Sequence, residues 1–315
     1  MEEGNVLKRV QLLEKLHMNV PESATISLII DTDAKNEADD QYAIIHHLLS
    51  PIIDVKGIVA THFEQKNLYQ GGSMEKSYQE VVKLLELAEI EDVPALRGSE
   101  IPVKDNVDRV SSEGVRFIIE EARKLNENKL YIAMMGAMTD IAEALKIAPD
   151  IAKNIVVIWN GGGPYPKGRP EFNVMQDPDA VRIVLESDAE VWQIPQNVYS
   201  AFEVTIAELS RRVRPCGKIG AYLYEQLLEE NSIAFNTEFL LRTGENWILG
   251  DNSTIAVFLM NRFRDNWELR KAPIVKEDLT YADNPNGKMI RVYKMLDVRM
   301  VIEDLFSKLE LVYGK

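Results

Sequence analysis

The sequence predicts an α/β fold: a mainly parallel, Rossmann-like sheet with helices on both faces and a helical region added after it. Two features carry that expectation. Between residues 25 and 194 short apolar runs alternate with stretches of helical periodicity, and those runs stay apolar at consecutive positions instead of every second one. Strands buried on both faces by crossover helices have that pattern.

Residues 1–18 read as a short amphipathic helix with Val6, Val10, Leu13 and Leu16 or His17 on one stripe. It forms an extension, 1–24, in front of a single catalytic domain, 25–315. The first strand is "TISLII" (25–30), followed by a helix over 38–49, the strand "VKGIVAT" (55–61) and a helix over 73–88. A helix over 113–125 leads to the strand "KLYIAMM" (129–135). A helix over 139–147, the strand "NIVVIWN" (154–160), a helix over 178–186 and the strand "AEVWQI" (189–194) complete the alternation. From about Val204 the pattern turns mostly helical, through "AELSRRVRPCGKIGAYLYEQLLEE" and "STIAVFLMNRF". The tail from Lys288 adds one or two strands and a closing helix. No repeat, low-complexity tract or linker divides the chain.

Composition narrows the partners. The 315 residues carry 50 acidic and 36 basic side chains, a formal net charge of −14, without a basic run that could hold nucleic acid. No apolar stretch approaches the ~20 residues of a membrane-spanning helix, and "MEEGNVLKRVQLLEKL" is too charged for a signal peptide. A cytoplasmic protein acting on a small molecule is expected. The single cysteine, Cys216, excludes an intrachain disulfide and reads as a small packing residue.

The chemistry should lie beyond the carboxyl ends of the strands. There, directly after the first strand, "IDTDAKNEADDQ" (30–41) holds Asp31, Asp33, Glu37, Asp39 and Asp40. Two unit charges about 4 Å apart repel by roughly 4 kcal/mol at an effective dielectric near 20. A turn and a helix cap account for one or two of these acids, at roughly 0.5–2 kcal/mol. They do not account for Asp31, Asp33, Asp39 and Asp40 together. A bound cation would, and oxygen-only ligands select a hard ion such as Ca²⁺ or Mg²⁺, with mixed carboxylates, carbonyls and waters favouring Ca²⁺. The loop is not an EF-hand.

"IIDTDAKNEADDQYAI" resembles the aspartate signature D-x-D-P-G-x-D-D of the inosine-uridine nucleoside hydrolases. Three further segments follow in that family's order. "GAMTDIAEAL" (136–145) is similar to its G-x-L-T-N-I-A-x-A block, "GGG…EFNVMQDPDA" (161–180) to its G-G…E-F-N-x-x-x-D-P-x-A block, and "GDNSTIAV" (250–257) to its H-D-P-x-A block. The resemblance implies that Asp33, Asp40, Asp251 and the backbone carbonyl of Thr139 ligate a Ca²⁺. It also implies that Asp33 deprotonates the attacking water, Asp39 binds the ribose hydroxyls, Glu171 and Asn173 hold the sugar from the opposite side, and Asp31 orients the ligands. The implied protein is a Ca²⁺-dependent N-ribohydrolase, a homodimer or homotetramer acting on a small ribosyl substrate. Locally, Thr139 and Asp251 are equally readable as helix caps.

Three departures stand out. The interval after Asp33 is two residues longer than the family's and lacks Pro-Gly. The family's His before the last aspartate, which serves the leaving base, is Gly250 here. Of the four histidines, His17 lies in the extension and His46 and His47 on the first helix, which leaves His62 as a candidate acid or base contact. Phe63, Trp159 and Trp247 are candidate rings for stacking on the base, Trp247 foremost. Finally, the short basic loop "PYPKGR" puts Lys167 and Arg169 where a 5′ substituent of the sugar could be met. Two other readings stay open: a D-x-D phosphotransferase with Asp31 as nucleophile, and a non-catalytic nucleoside or sugar binder of the same fold.

Overall fold

The structure, a computed structural model, describes residues 8–106, 111–125, 128–236, 244–260 and 266–314. Five strands alternate with helices as expected, β1 (Ile26–Thr32), β2 (Ile53–Ala60), β4 (Leu130–Met134), β5 (Ile155–Asn160) and β6 (Glu190–Ile194), and an unexpected short strand, β3 (Ala95–Arg97), follows the helix after β2. Then β7 (Glu203–Thr205) and β8 (Asn246–Ile248) form a separate antiparallel ribbon, and β10 (Ile274–Val275) pairs with β11 (Tyr281–Ala282). The late strands β9 (Trp267–Lys271) and β12 (Met289–Tyr293) extend the main sheet, whose order is β3-β2-β1-β4-β5-β6-β12-β9. Every neighbouring pair in it is parallel except β9 with β12.

The helices are α1 (Arg9–Glu14), α2 (Asp40–Leu48), α3 (Ser73–Leu87), α4 (Glu113–Lys124), α5 (Thr139–Ile147) and α6 (Phe172–Gln176). They continue with α7 (Pro178–Glu186), α8 (Gln196–Tyr199), α9 (Ile206–Arg212), α10 (Gly217–Asn236), α11 (Ser253–Leu259) and α12 (Val298–Tyr313). Strand alternation divides the core in two. Leu28 and Ile30 of β1 face α2, α3, α10 and α12 on one side, while Ile29 faces α4, α5 and α7 on the other. Local chemistry starts the helices where they start. Ser112 accepts the Val115 N–H at the head of α4, and Asp177 accepts the Ala180 N–H ahead of Pro178 at α7.

The structure departs from the expected elements in three places. The mostly helical stretch expected over 207–230 is divided into α9 and α10 around Pro215, which has no N–H to continue a helix, and Gly217 takes the left-handed φ of +62°. The three-residue strands β3, β7 and β8 are too short to show a period, and β9, "WELRK", is an edge strand whose polar composition hides it. The expected N-terminal helix shrinks to six described residues, Val6 lying outside the described residues, and its buried stripe is Leu12 and Leu16, with Val10 59% exposed.

Arg9 fastens that helix to the domain. Its guanidinium donates to the carbonyls of Leu48 (2.7 Å), Ser50 (2.8 Å) and Ile53 (2.7 Å) in the turn between α2 and β2. Arg9→Ala leaves those carbonyls without their donor and should cost about 3 kcal/mol in urea unfolding, with kcat/KM unchanged. A loss below about 0.5 kcal/mol would show the tie to be incidental.

The sheet order places the crevice. The chain runs outward from β1 to β2 and β3, then returns to β4 on the other side of β1. Carboxyl ends on either side of that reversal splay apart, and ligands bind there in open α/β sheets.

Candidate active site

Asp31 is the penultimate residue of β1 and wholly buried, and neither of its carboxylate oxygens meets a hydrogen-bond donor. Asp33 follows the strand. The longer turn after it is pinned by Ala34 and Ala38, both buried, by the Gln41 amide on the Ala34 carbonyl, and by Asn36 Nδ2 on Asp33 Oδ2 (3.0 Å). It therefore returns Asp39 and Asp40 to the strand end despite its extra residues. Asp40 opens α2 and accepts the Thr32 hydroxyl, while Asp39 Oδ2 accepts the backbone N–H of Asp251 at 3.3 Å.

Two other strands close the ring. After β4 the chain turns at Gly136, where a Cβ would lie 3.0 Å from Asp33 Cγ, so only a glycine lets this loop approach so closely. From β5, Asn160 donates Nδ2 to Asp251 Oδ1 (2.6 Å) and accepts Ser253 Oγ (2.9 Å), anchoring the turn that carries Asp251. Carboxylate oxygens of Asp39, Asp40 and Asp251 then lie within 4.8 Å of one another.

Burial, more than any neighbour, drives the carboxyls of Asp31, Asp33, Asp39 and Asp251 well above the ordinary range, and mutual repulsion adds to it. Asp40 is raised to about 7, again chiefly by burial, against the pull of the Thr32 hydroxyl. Lys66 opposes the shift at Asp33. This is a donor set of oxygens alone, short of positive charge and partly without hydrogen-bond donors. A hard divalent cation fits it.

Glu171 and Asn173 reach the same edge. Glu171 caps α6 and accepts from Gly162 N (2.8 Å), Asn173 N (3.3 Å), Val174 N (3.2 Å) and the Tyr199 hydroxyl (2.7 Å). Burial raises its carboxyl, and those donors pull it back. Asn173 donates to the carbonyls of Met135 (3.0 Å) and Asn160 (2.8 Å), which leaves its Oδ1 as an acceptor.

Two expected residues, His62 and Trp247, sit differently, and the Thr139 side chain is engaged with the first. Thr139 is the first residue of α5. The Thr139 hydroxyl donates to Asp177 (2.7 Å) and so must accept from His62 Nε2 (2.8 Å), which makes both side chains a buried brace between β2, α5 and α7. Burial lowers His62 to about 4, keeping it neutral. Trp247 lies in β8 inside the core, 3% exposed, with no open ring face to offer a base. Trp159 and Phe63 are likewise buried.

The remaining candidates resolve simply. His46 is buried between Asp304 (2.9 Å) and Asn252 (3.1 Å), supporting the Asp251 turn from behind, and His47 is buried on the Ala43 carbonyl. Cys216 is buried, its thiol on the Arg212 carbonyl. Lys167 and Arg169 are exposed, with Arg169 on Gln196 (2.7 Å).

Sequence reasoning missed Tyr199. A Cβ at Gly250 would stand 2.9 Å from Tyr199 Cδ2 and 3.4 Å from Asp39 Oδ2, so the ring occupies the space a side chain at 250 would need. Nothing in "PQNVYSAF" signals this. It was legible only as a consequence of the glycine, once the two segments were known to meet.

The comparisons with known proteins agree with this geometry. The model of the inosine-uridine preferring nucleoside hydrolase family matches residues 28–302. Curated relatives include a probable uridine nucleosidase from Arabidopsis thaliana, 25% identical over 62% of this chain and 67% of its own, and the pyrimidine-specific ribonucleoside hydrolase RihA of Escherichia coli, 25% identical over 65% and 70%. Among solved structures, the purine-preferring ribonucleoside hydrolase from Gardnerella vaginalis shares the fold with a TM-score of 0.75, covering 91% of this chain and 99% of its own at 22% identity. The chain belongs to the inosine-uridine preferring nucleoside hydrolase family, enzymes that hydrolyse N-glycosyl bonds.

Proposed function

We propose that the protein is a Ca²⁺-dependent ribohydrolase that cleaves the bond between a ribose and its nitrogen-linked base by attack of water. The observation that carries this reading is the convergence of Asp39, Asp40 and Asp251 within 4.8 Å, with Asp33 beside them, at the reversal in strand order. Asp40, Asp251 and Asp33 would hold the ion, joined by the backbone carbonyl of Thr139 that the resemblance implies. Such an ion lowers the pKa of water and positions it for attack.

The chain's own groups do the rest. Asp33 accepts the proton of the attacking water. Asp39, partly exposed above the ring, takes the ribose hydroxyls, and Asn173 Oδ1 takes another from the far side. Glu171, with its oxygens filled by protein donors, acts by fixing Asn173 and Tyr199. As the C1′–N bond stretches, positive charge grows on the sugar, and the surrounding carboxylates oppose it. Relatives named for uridine, pyrimidine and purine nucleosides leave the ribosyl group as the common element of the substrate.

The test is a panel of nucleosides and nucleotides, with free base, reducing sugar and phosphate assayed with and without chelator, beside Asp33→Asn. Base and sugar release in equal amounts, abolished by chelator and by the substitution, is the expected result. Phosphate release would instead point to the D-x-D phosphotransferase, and binding without turnover to a nucleoside sensor.

A further inference from the structure

The site's proton inventory bears on which ribosides it can cleave. A neutral nucleoside expels its base as an anion unless an acid delivers a proton to the departing ring. With the cation bound, Asp33, Asp39, Asp40 and Asp251 would be ionised, and His46, His47, His62, Tyr199, Glu171 and Lys66 among the described residues are each already engaged. Position 250 is glycine and has no side chain. His62 already gives its Nε2 proton to Thr139, whose own proton goes to Asp177. His46 is enclosed between Asp304 and Asn252, and His47 sits on the Ala43 carbonyl. The Tyr199 hydroxyl donates to Glu171, and Glu171, accepting from four donors, carries no proton to give. Lys66 places its ammonium on the Asn36 carbonyl, 3.6 Å from Glu230, on the Asp33 side of the turn.

The same groups make a field that favours a cation. Asp33, Asp39, Asp40, Asp251 and Glu171 outnumber the positive charge of Lys66 and one divalent ion together. The Tyr199 ring, held by its hydroxyl and packed against Gly250, adds an aromatic surface beside Asp39. Aromatic faces attract cations by about 0.5–2 kcal/mol.

Resting on the ribohydrolase reading above, we propose that the preferred substrates are ribosides whose glycosidic nitrogen belongs to a ring already bearing a positive charge, as in pyridinium or N7-alkylated purine ribosides. Water attacks C1′ and passes its proton to Asp33. The C1′–N bond breaks, its electron pair returns to the cationic ring, and the aglycone leaves neutral with no proton needed.

Inosine and nicotinamide riboside test this, because the first carries a neutral base and the second a pyridinium ring whose positive charge no loss of a proton can remove. The expected result is a kcat/KM for nicotinamide riboside at least 100-fold above that for inosine at pH 7. Their ratio should rise about tenfold per unit between pH 6 and pH 8, because inosine reacts only through the fraction protonated by solvent. Taking the ratio cancels any ionisation shared by both substrates. A ratio below ten, or one flat with pH, means a protein group delivers the proton and overturns the inference while leaving the ribohydrolase standing. No hydrolysis of either compound, with Ca²⁺ supplied and the nucleoside panel also negative, removes the ribohydrolase reading and this inference with it.

Discussion

Asp251→Asn should lower kcat/KM for riboside hydrolysis about a thousandfold, roughly 4 kcal/mol of transition-state stabilisation. The change keeps the shape of the side chain. The Asn160 amide can still be accepted by an oxygen, and the backbone N–H of residue 251 still reaches Asp39 Oδ2. What disappears is one negative charge from a ring whose members stand within 4.8 Å. On the proposed reading that charge would both hold the cation and oppose the charge growing on the sugar. The metal-free variant should also melt higher than the metal-free parent, by a few degrees, because Asp39 and Asp40 lose a buried repulsive neighbour. Activity and stability moving in opposite directions is the signature of a functional acid. Retained kcat/KM would show that Asp251 is only the cap of its local turn.

Chelation should lower Tm by roughly 5 °C at pH 8 and by much less at pH 5.5, as read by calorimetry or fluorescence. The sign follows from the ionisations. Asp40 rises in the fold from 3.8 to about 7, and Asp33, Asp39 and Asp251 also rise. Groups raised by folding contribute stability that is fully present below their unfolded value and lost as pH climbs through the folded one. The metal-free fold is therefore penalised progressively above about pH 4, and most fully beyond pH 7. A cation binds the ionised carboxylates, so its stabilisation, about 2.7 kcal/mol at a hundredfold excess over Kd, grows over the same interval. His46, His47 and His62, depressed by burial to about 4, 3 and 4, work in the other direction and destabilise the fold as pH falls below 6.5. Their effect is common to both samples and cancels in the difference. An equal shift at both pH values, or none, would mean that the acids are not a cation site.

Much of this molecule was legible before any coordinates. Uninterrupted apolar runs of "TISLII" and "NIVVIWN" could only be strands covered on both faces, and Thr139–Ile147 and Pro178–Glu186 form helices at the bounds that periodicity and capping residues mark. Asp33, Asp39 and Asp40 were legible because they crowd one turn, where their repulsion demands an explanation from chemistry. Asp251 was reachable only by resemblance, since 211 residues of chain separate it from Asp40 and its local context is that of a cap.

What the sequence by itself determined is therefore the layered sheet and the acids at its switch point, because periodicity and charge crowding are local properties. What only the tertiary structure decided is which groups meet them: Tyr199 in the space left by Gly250, Asn160 on the Asp251 carboxylate, His62 turned to a brace and Trp247 into the core. Those outcomes depend on side-chain directions and on contacts between segments far apart along the chain, and neither is encoded in the spacing of one segment.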